Sequence, residues 1–274
     1  MPDGVAPGSL RHFAVLFSGS TDKPLVEAVY AFEAELRRAV AATSHEAAHA
    51  KLQWWRGEID RLAAGRPSHP VASALLPLRG RRDVDLTLLH EMLVAADLDL
   101  ARMTYSTWQE LDAYLFRSAG ITQTLIAAVL AGDRGLAPAE REFARRLGAA
   151  LRQAEMQFDL DHDLAAGRLY APTAALEAAG IDPDAFARDR RTAAVSTFIT
   201  DWQARVRSEL GSLPALLAEP ALRGAQRHGV VLAALHARWL ETRSAASPPA
   251  GGHWPEVGPF TRLWTAWRTA LRNG

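Results

Sequence analysis

Apolar residues recur at helical spacing along almost the whole chain, and this periodicity is the feature that most restricts its fold. Spacings of three and four residues place such side chains on one face of a helix. Two of these stripes contain Leu25, Val29, Phe32, Leu36 and Val40, and then Leu52, Trp55, Ile59 and Leu62. Alternating strand patterns of useful length are hard to find, and runs of β-branched residues are scarce. The sequence therefore predicts an all-α protein.

Prolines, glycines and aspartates mark where these helices should begin and end. We expect the first long helix to begin at 22–24, a loop at 65–70 and a break at 132–135. Residues 136–140 should then begin the helix that carries Asp159.

The chain is predicted to form one domain over residues 1–274, because no break resembles a domain linker and no internal repeat is present. We expect a bundle of roughly eight to twelve helices around one cavity or core. The first ten or so residues are expected to be flexible, as is the segment 245–255 with its Ser-Pro-Pro-Ala-Gly-Gly run. A last helix should follow over about 259–271.

The charge balance and the lack of cysteine exclude several classes of function. The 274 residues contain 31 basic and 31 acidic side chains, so no basic excess indicates nucleic-acid binding. The absence of cysteine excludes disulfides, thiolate metal sites and a cysteine nucleophile. No signal peptide is recognisable, and no run of about 18 apolar residues predicts a transmembrane segment. A cytoplasmic protein is expected, with peripheral contact to a membrane left open.

The segment 155–172 carries the clearest candidate for chemistry. Asp159 and Asp163 stand four residues apart, which places two carboxylates on one helix face. Such hard oxygen ligands can hold Mg²⁺, and Mg²⁺ can in turn hold a diphosphate. Glu155 extends the series by one more helical turn. These three residues are the predicted metal ligands.

Three segments together resemble the squalene/phytoene synthase family, the head-to-head trans-prenyltransferases. The first, 51–60, reads Lys-Leu-Gln-Trp-Trp-Arg-Gly-Glu-Ile-Asp, and Gly-Arg-Pro and His-Pro-Val follow within 65–71. The second, 114–120, reads Tyr-Leu-Phe-Arg-Ser-Ala-Gly and is similar to the family's Tyr-x-x-Arg-x-Ala-Gly signature. The third is 155–172, where the family has Asn-x-x-Arg-Asp-x-x-x-Asp and then Gly-Arg-x-Tyr-x-Pro.

The resemblance implies an all-α fold of the isoprenoid synthase type with a central cavity. Members of the family use two Asp-x-x-x-Asp motifs on facing helices to bind Mg²⁺ ions that grip the diphosphates of two prenyl chains. The resemblance further assigns four residues to the substrate site, namely Tyr114, Arg117, Arg168 and Tyr170. From the residues alone, Arg117 could equally pair with a carboxylate such as Asp97 or Asp99, and Tyr170 could simply cap the core.

The first aspartate motif is missing where the resemblance places it. When the chain is aligned on residues 30–32, the paired aspartates become Arg37 and Arg38, and the last aspartate becomes Ala41. Glu33 meets Arg37 one helical turn away, which does not restore a carboxylate pair. A site with two facing acidic motifs is therefore not predicted.

Two interpretations of this substitution stay open. In the first, the carboxylates at 155, 159 and 163 hold one Mg²⁺ at most, and Arg37 and Arg38 contact the diphosphate. In the second, Arg37 and Arg38 pair with Asp159 and Asp163, and the site is an ion-pair network without catalysis. The second motif is also altered, because Glu155 and Phe158 replace the family's asparagine and arginine.

A non-catalytic branch of the same family is similar to this chain in two places. The mitochondrial complex I assembly factors share its Ala-Phe-x-x-Glu-Leu pattern at 31–36 and its Leu-Gln-Trp-Trp-Arg helix. The sequence therefore favours a degenerate member that binds an isoprenoid, such as a prenyl diphosphate, or a protein partner. The alternative is an active Mg²⁺-dependent prenyltransferase with a reduced metal site, so enzyme activity stays open.

Three tryptophans near the C-terminus form a further candidate surface. Trp254, Trp264 and Trp267 could form an apolar lid or a partner surface. More often such a stripe docks a terminal helix onto the core.

Overall fold

The computed structural model describes residues 3–188, 192–245 and 257–272. Within these ranges every regular element is a helix and no strand occurs, which confirms the all-α prediction. The α-helices are α1 (Leu10–Val15), α2 (Lys23–Val40), α3 (His45–Ala63), α4 (Pro70–Ala74), α5 (Leu88–Leu100), α6 (Trp108–Leu115), α7 (Ile121–Ala131), α8 (Pro138–Phe158), α9 (Leu160–Ala165), α10 (Thr173–Ala178), α11 (Pro183–Arg188), α12 (Ala193–Ser212), α13 (Pro220–Ala225), α14 (Arg227–Ala245) and α15 (Pro259–Arg272). Several of them are a turn and a half long, so the described segments outnumber the helices expected from the sequence.

The helix ends lie where proline and glycine predict them. α2 begins with Pro24 in its first turn, and α4 and α8 begin at Pro70 and Pro138. The predicted break before α8 contains Gly132 and Gly135, whose φ angles are 60° and 81°. Glycine adopts this left-handed region without strain, so the chain can turn sharply there.

The hydrophobic core consists of two large clusters that flank the candidate site. One cluster is built mainly from α2, α3, α5 and α7, with Phe32 and Leu93 fully buried. The other is built mainly from α6, α8, α12 and α14, with Tyr114 and Phe143 fully buried. α7 and α8 pack on each other and join the two halves. The candidate site lies where α2, α5 and α8 come together.

One helical run passes through the centre of the molecule without a break. α6 continues through a π-helical turn, Phe116–Gly120, into α7. By length and composition alone, the run Trp108–Arg134 is apolar enough to cross a membrane, but 72% of its apolar window is buried inside the fold. A core helix has these properties too, and the expectation that the chain has no transmembrane segment stays a prediction.

Two segments were expected to be flexible. The segment 245–255 lies, apart from Ala245 at the end of α14, outside the described residues. Near the N-terminus, the 3₁₀ turn Asp3–Val5 packs on α2 so closely that a β-carbon at Gly4 would lie 2.4 Å from the carbonyl of Tyr30. The single-domain boundaries stay a prediction.

Candidate functional site

The predicted carboxylate series lies at a break between two helices. α8 ends at Phe158 and α9 begins at Leu160, so Asp159 stands between them. The backbone still keeps helical hydrogen bonds, because the Asp159 N–H donates to the Glu155 carbonyl and the Asp163 N–H donates to the Asp159 carbonyl, each at 2.8 Å. The three carboxylates therefore follow one another turn by turn, but the predicted single helix is interrupted at the middle one.

Charged side chains from α1, α2 and α8 form an ion-pair network at the centre of the molecule. Arg37 lies 2.6 Å from Glu33, one turn earlier on α2, and 2.7 Å from Glu155 on α8. Arg11 of α1 contacts the same two carboxylates, each at 3.0 Å. Arg152 lies 3.6 Å from Glu155. Both carboxylates are thus shared between guanidinium groups. We call these five residues the central network.

Most charges of the central network are shielded from solvent, whereas the side chain of Arg37 is 44% exposed. The side chain of Glu33 is only 6% exposed, and those of Arg11 and Glu155 are mostly buried. Burial by itself raises the pKa of Glu155, but the guanidinium groups of Arg37 and Arg11 outweigh it and hold that pKa well below its ordinary value. The pKa of Glu33 is lowered against burial in the same way. Both carboxylates are therefore ionised and paired.

The central cavity is small, and three side chains of the network line it. The cavity measures about 40 Å³, which is room for a few water molecules. A typical ligand pocket has at least about 300 Å³. The polar side chains that line the cavity are Glu33, Arg37, Asp99, Tyr114, Ser118 and Arg152. Neither Asp159 nor Asp163 belongs to this lining.

Asp159 and Asp163 lie beside the central network. Asp163 is 3.6 Å from Arg168, and Asp159 has no ion pair with any residue that the structure describes. Burial raises the pKa of both carboxyls, and the negative charge of Glu155 adds to the effect at Asp159. The ion-pair interpretation expected Arg37 and Arg38 to pair with these two aspartates. Arg37 pairs with Glu155 on the facing helix instead, and Arg38 lies 2.6 Å from Glu35 on its own helix.

These contacts bear on whether Glu155, Asp159 and Asp163 can bind Mg²⁺. Both oxygens of Glu155 accept hydrogen bonds from guanidinium groups, Oε1 from Arg11 and Oε2 from Arg37. Within the described part of the chain, no group of three or more His, Cys, Asp or Glu side chains is arranged to hold a metal ion. In this arrangement Glu155 is not available as a ligand, and a Mg²⁺ site on Asp159 and Asp163 stays a prediction.

A second polar cluster adjoins the network and contains three of the predicted substrate residues. Tyr114 and Tyr170 donate hydrogen bonds to the Asp99 carboxylate at 2.8 and 2.7 Å, and their rings stack at 5.6 Å. Arg152 donates to both hydroxyl oxygens, at 3.1 and 3.3 Å. Arg168 donates to the Asp99 carbonyl at 3.4 Å. Burial raises the pKa of both tyrosines, so their hydroxyls keep the protons that they donate.

Arg38 and Arg117 were also predicted to contact substrate, but they have other surroundings. Arg38 lies 2.6 Å from Glu35 and lines a separate cavity between α2 and α3. Arg117 donates to Glu91 at 2.8 Å. The alternative of a carboxylate partner for Arg117 is therefore the observed one, although the partner is Glu91 and neither Asp97 nor Asp99.

Sequence reasoning missed two arginines of the central network. Arg11 is separated from Glu155 by 144 residues and lies outside the segments that carry the family resemblance, so no local signal points to it. Arg152 lies three residues before Glu155 on α8. Helical spacing places these two side chains on one face, and this signal could have found Arg152.

A comparison with protein families agrees with this fold. A family model described as squalene/phytoene synthase matches residues 12–250. The chain belongs to the squalene/phytoene synthase family. The matched range contains the whole central network except Arg11, which lies one residue before it.

Curated relatives in the squalene/phytoene synthase family are longer than this chain. The bifunctional protein CrtB/UppS of Streptomyces coelicolor is 27% identical, over 98% of this chain and 53% of its own length. The 15-cis-phytoene synthase of Synechocystis sp. is 30% identical, over 46% of this chain and 40% of its own length. The match thus spans about half the length of these relatives or less.

Solved structures of squalene/phytoene synthase type share the architecture. Squalene synthase HpnC from Alicyclobacillus acidocaldarius has a TM-score of 0.68 at 24% identity, over 84% of this chain and 88% of that one. A dehydrosqualene synthase solved in complex with a ligand has a TM-score of 0.76 at 15% identity, over 96% of this chain and 90% of that one. At these identities the likeness concerns the fold, and it confirms the predicted fold type.

Proposed function

We propose that this squalene/phytoene synthase family member lacks full prenyl transfer activity and acts by binding a protein partner or an isoprenoid. One observation carries the proposal. Arg37 stands where the resemblance places an aspartate of the first metal motif, and Glu33 and Glu155 hold it there. A guanidinium has only donors to offer, so it cannot ligate Mg²⁺, and its charge repels the ion.

The small central cavity supports the same proposal. Two prenyl chains do not fit into about 40 Å³, so binding them at this position would require the central network to rearrange. Separating buried ion pairs leaves unpaired charges and costs several kcal/mol. A protein partner that binds on the outside of the fold needs no such rearrangement. We therefore favour the protein partner over an isoprenoid held in the centre.

Incubation with an allylic diphosphate tests the proposal directly. The purified chain, mixed with farnesyl or geranylgeranyl diphosphate and Mg²⁺, should give no condensed product by mass spectrometry. Calorimetry should show no Mg²⁺-dependent binding of either diphosphate. A condensed product that disappears in the Asp159→Ala variant would overturn the proposal. Diphosphate binding without product would retain a binding role but select the isoprenoid.

Restoring acidic residues to α2 tests the role of the arginines separately. The variant that combines Arg37→Asp with Arg38→Asp should be less stable than the wild type in metal-free buffer, because Glu33 and Glu155 lose a cation and gain a like charge. Mg²⁺ should then recover part of the loss. Arg238→Asp, which removes an exposed pair with Glu241 on α14, is the control on which Mg²⁺ should have no effect. Unchanged stability of the double variant would contradict the ion-pair account.

One observation favours a second candidate, an active prenyltransferase with a reduced metal site. The Asp159 carboxylate is not used in an ion pair by the described residues, and Asp163 has only a distant contact with Arg168. The surrounding arginines are suited to a diphosphate. This candidate requires product formation that depends on both Mg²⁺ and Asp159, so the same incubation distinguishes the two functions.

A further inference from the structure

The C-terminal helix α15 docks onto the fold through its small residues. Ala266 and Ala270 are buried against the neighbouring helices, which are α14 and α1. Arg262 donates a hydrogen bond from Nη1 to the Gly8 carbonyl at 2.6 Å, which ties α15 to the start of α1. A stripe of tryptophans was expected more often to dock a terminal helix; of the three, Trp254 lies outside the described residues. In the described part of α15 the buried side chains are alanines, whose small size lets the helices approach closely.

The large apolar side chains of α15 point away from the core instead. Phe260 is 85% exposed, Leu271 63% and Trp264 58%, and Leu263 and Trp267 are each 47% exposed. Successive residues of a helix are rotated by about 100°, so these five positions fall on one side of α15. The rings of Trp264 and Trp267 lie 5.1 Å apart. Single exposed apolar residues are normal, but a contiguous stripe of this size marks an interaction surface.

The charged residues of α15 beside this stripe are basic. α15 contains no acidic residue, and Arg268 and Arg272 are exposed next to the stripe on its solvent side. Within residues 3–188, 192–245 and 257–272, neither arginine has a carboxylate at ion-pair distance. The whole chain has a net charge of zero, so this excess of positive charge is local. An aromatic stripe flanked by arginines is complementary to a surface that has an apolar interior and anionic groups at its boundary.

A second copy of the chain fits this surface less well. In a symmetric contact, each stripe would cover the other, and α15 of the second copy would offer no acidic residue to Arg268 and Arg272. An anionic lipid bilayer presents phosphate groups to the arginines and an acyl boundary to the rings, which is the region that tryptophan and phenylalanine prefer.

We propose that α15 is a membrane-docking helix that lies in the plane of an anionic bilayer surface, with Phe260, Trp264 and Trp267 inserted at the headgroup boundary and Arg268 and Arg272 bound to lipid phosphates. This surface lies on the outside of the fold, on the helix that packs against α1 and α14. The central cavity is lined by other helices. This inference does not rest on the proposed function, because membrane docking suits a binding protein and a prenyltransferase alike.

Vesicle binding by the full chain tests the proposal. Co-sedimentation with phosphatidylcholine vesicles that contain about 30 mol% phosphatidylglycerol should show salt-sensitive binding, and pure phosphatidylcholine should bind at least about fivefold more weakly. Tryptophan fluorescence should shift to the blue on binding to the anionic vesicles, because indole leaves water. Equal binding to both vesicle types, or no binding to either, would overturn the proposal.

Variants of exposed residues assign the binding to α15 without disturbing the core. Trp264→Ala with Trp267→Ala should weaken binding at least about tenfold, and Arg268→Ala with Arg272→Ala should weaken it by a similar factor and remove the salt dependence. Trp54→Ala changes a similarly exposed tryptophan on α3 and should leave binding unchanged. If the α15 variants bind like the wild type, or if they dissociate a dimer in sedimentation while vesicle binding persists, the surface is not a lipid site.

Discussion

Arg37 and Glu155 are the residues that decide the character of the central site. The family resemblance places an aspartate at the first position and an asparagine at the second. This chain has a cation and an anion there, and the two side chains meet at 2.7 Å. An arginine at 37 alone would have left a positive charge without its partner on α8. The two changes are complementary, so their combination is more informative than either residue by itself.

Removing Arg11 should destabilise the fold strongly. The Arg11→Ala variant leaves the buried Glu33 carboxylate with one guanidinium partner in place of two. Because a carboxylate deprived of its partner in a buried pair is costly, we expect the free energy of unfolding to fall by roughly 3 kcal/mol. Urea unfolding at neutral pH measures this loss.

A surface pair provides the comparison for this prediction. Arg238→Ala removes an exposed contact with Glu241 and should change the free energy of unfolding by less than about 1 kcal/mol. Combining Arg11→Ala with Glu33→Gln should cost less than the sum of the two single changes, because the neutral side chain no longer needs a cation. Equal losses in Arg11→Ala and Arg238→Ala would contradict the network as described.

Local spacing predicts part of the site and cannot predict the rest. The contact of Glu33 with Arg37 follows from their positions one turn apart on α2. The partner on α8 does not follow, because nothing in a single sequence says which of three neighbouring carboxylates will face α2. Arg11 reaches the site only because α1 packs beside α14 and thereby comes close to α2. Such contacts depend on the tertiary fold.

At the scale of helices, the crossing of α8 with the π-helical turn is the tightest contact. A β-carbon at Gly148 would lie 2.3 Å from the Ala119 carbonyl oxygen and 2.6 Å from the Cα of Gly120. Both neighbours are backbone atoms, so neither can move aside without shifting a helix. Glycine at 148 thus sets the distance between the two halves of the core.

Gly148→Ala should therefore be destabilising although alanine favours helix. We expect a loss of roughly 1–3 kcal/mol or more from overpacking. Gly211 on α12 has open space around it, because a β-carbon added there would meet no atom within 4 Å. Gly211→Ala is accordingly expected to be neutral or stabilising by up to about 1 kcal/mol. Thermal unfolding of both variants gives the comparison, and loss of stability in both or in neither would contradict the packing argument.

The sequence predicts where helices begin and end better than it predicts breaks and irregular turns within them. Pro24, Pro70 and Pro138 lie in first turns because proline fits there without a lost hydrogen bond. The break at Asp159 carries no such signal, because the carboxylates keep their spacing and the backbone keeps its hydrogen bonds on both sides. The π-helical turn also lies in a stretch whose composition is typical of a regular helix.

At the scale of the whole molecule, His228 joins segments that are far apart in the chain. Its Nδ1 lies 3.0 Å from the Ser18 hydroxyl and its Nε2 2.9 Å from the Tyr30 hydroxyl. Gln123 donates to the same tyrosine at 3.2 Å. His228 and Tyr30 thus connect α2, α7, α14 and the loop that follows α1. Burial favours the neutral ring, in which one nitrogen donates and the other accepts.

This buried imidazole predicts a loss of stability in mild acid. Burial lowers the pKa of His228 to about 4, so between about pH 6.5 and pH 4 the unfolded chain binds a proton that the folded chain does not. The contribution of His228 to the free energy of unfolding is therefore complete above about pH 6.5 and decreases as the pH falls. At pH 4 the loss from this residue is roughly 3 kcal/mol. Burial acts on the pKa of His236 in the same direction.

Unfolding curves at a series of pH values measure this slope. The His228→Gln variant should be less stable at neutral pH but should lose less stability between about pH 6.5 and pH 4.5 than the wild type does. An unchanged slope in the variant would mean that His228 is not the titrating group.

Because of the central network, the carboxylates at the centre of the molecule do not depend on a bound metal ion for a positive partner. A divalent ion occupies a site only to the extent that its concentration exceeds a dissociation constant. The guanidinium groups of Arg11 and Arg37 are covalently attached, and they face their carboxylates at a local concentration that dilution or chelation cannot lower. The pairing of these two carboxylates is consequently fixed by the amino-acid sequence, and it does not depend on the concentration of magnesium.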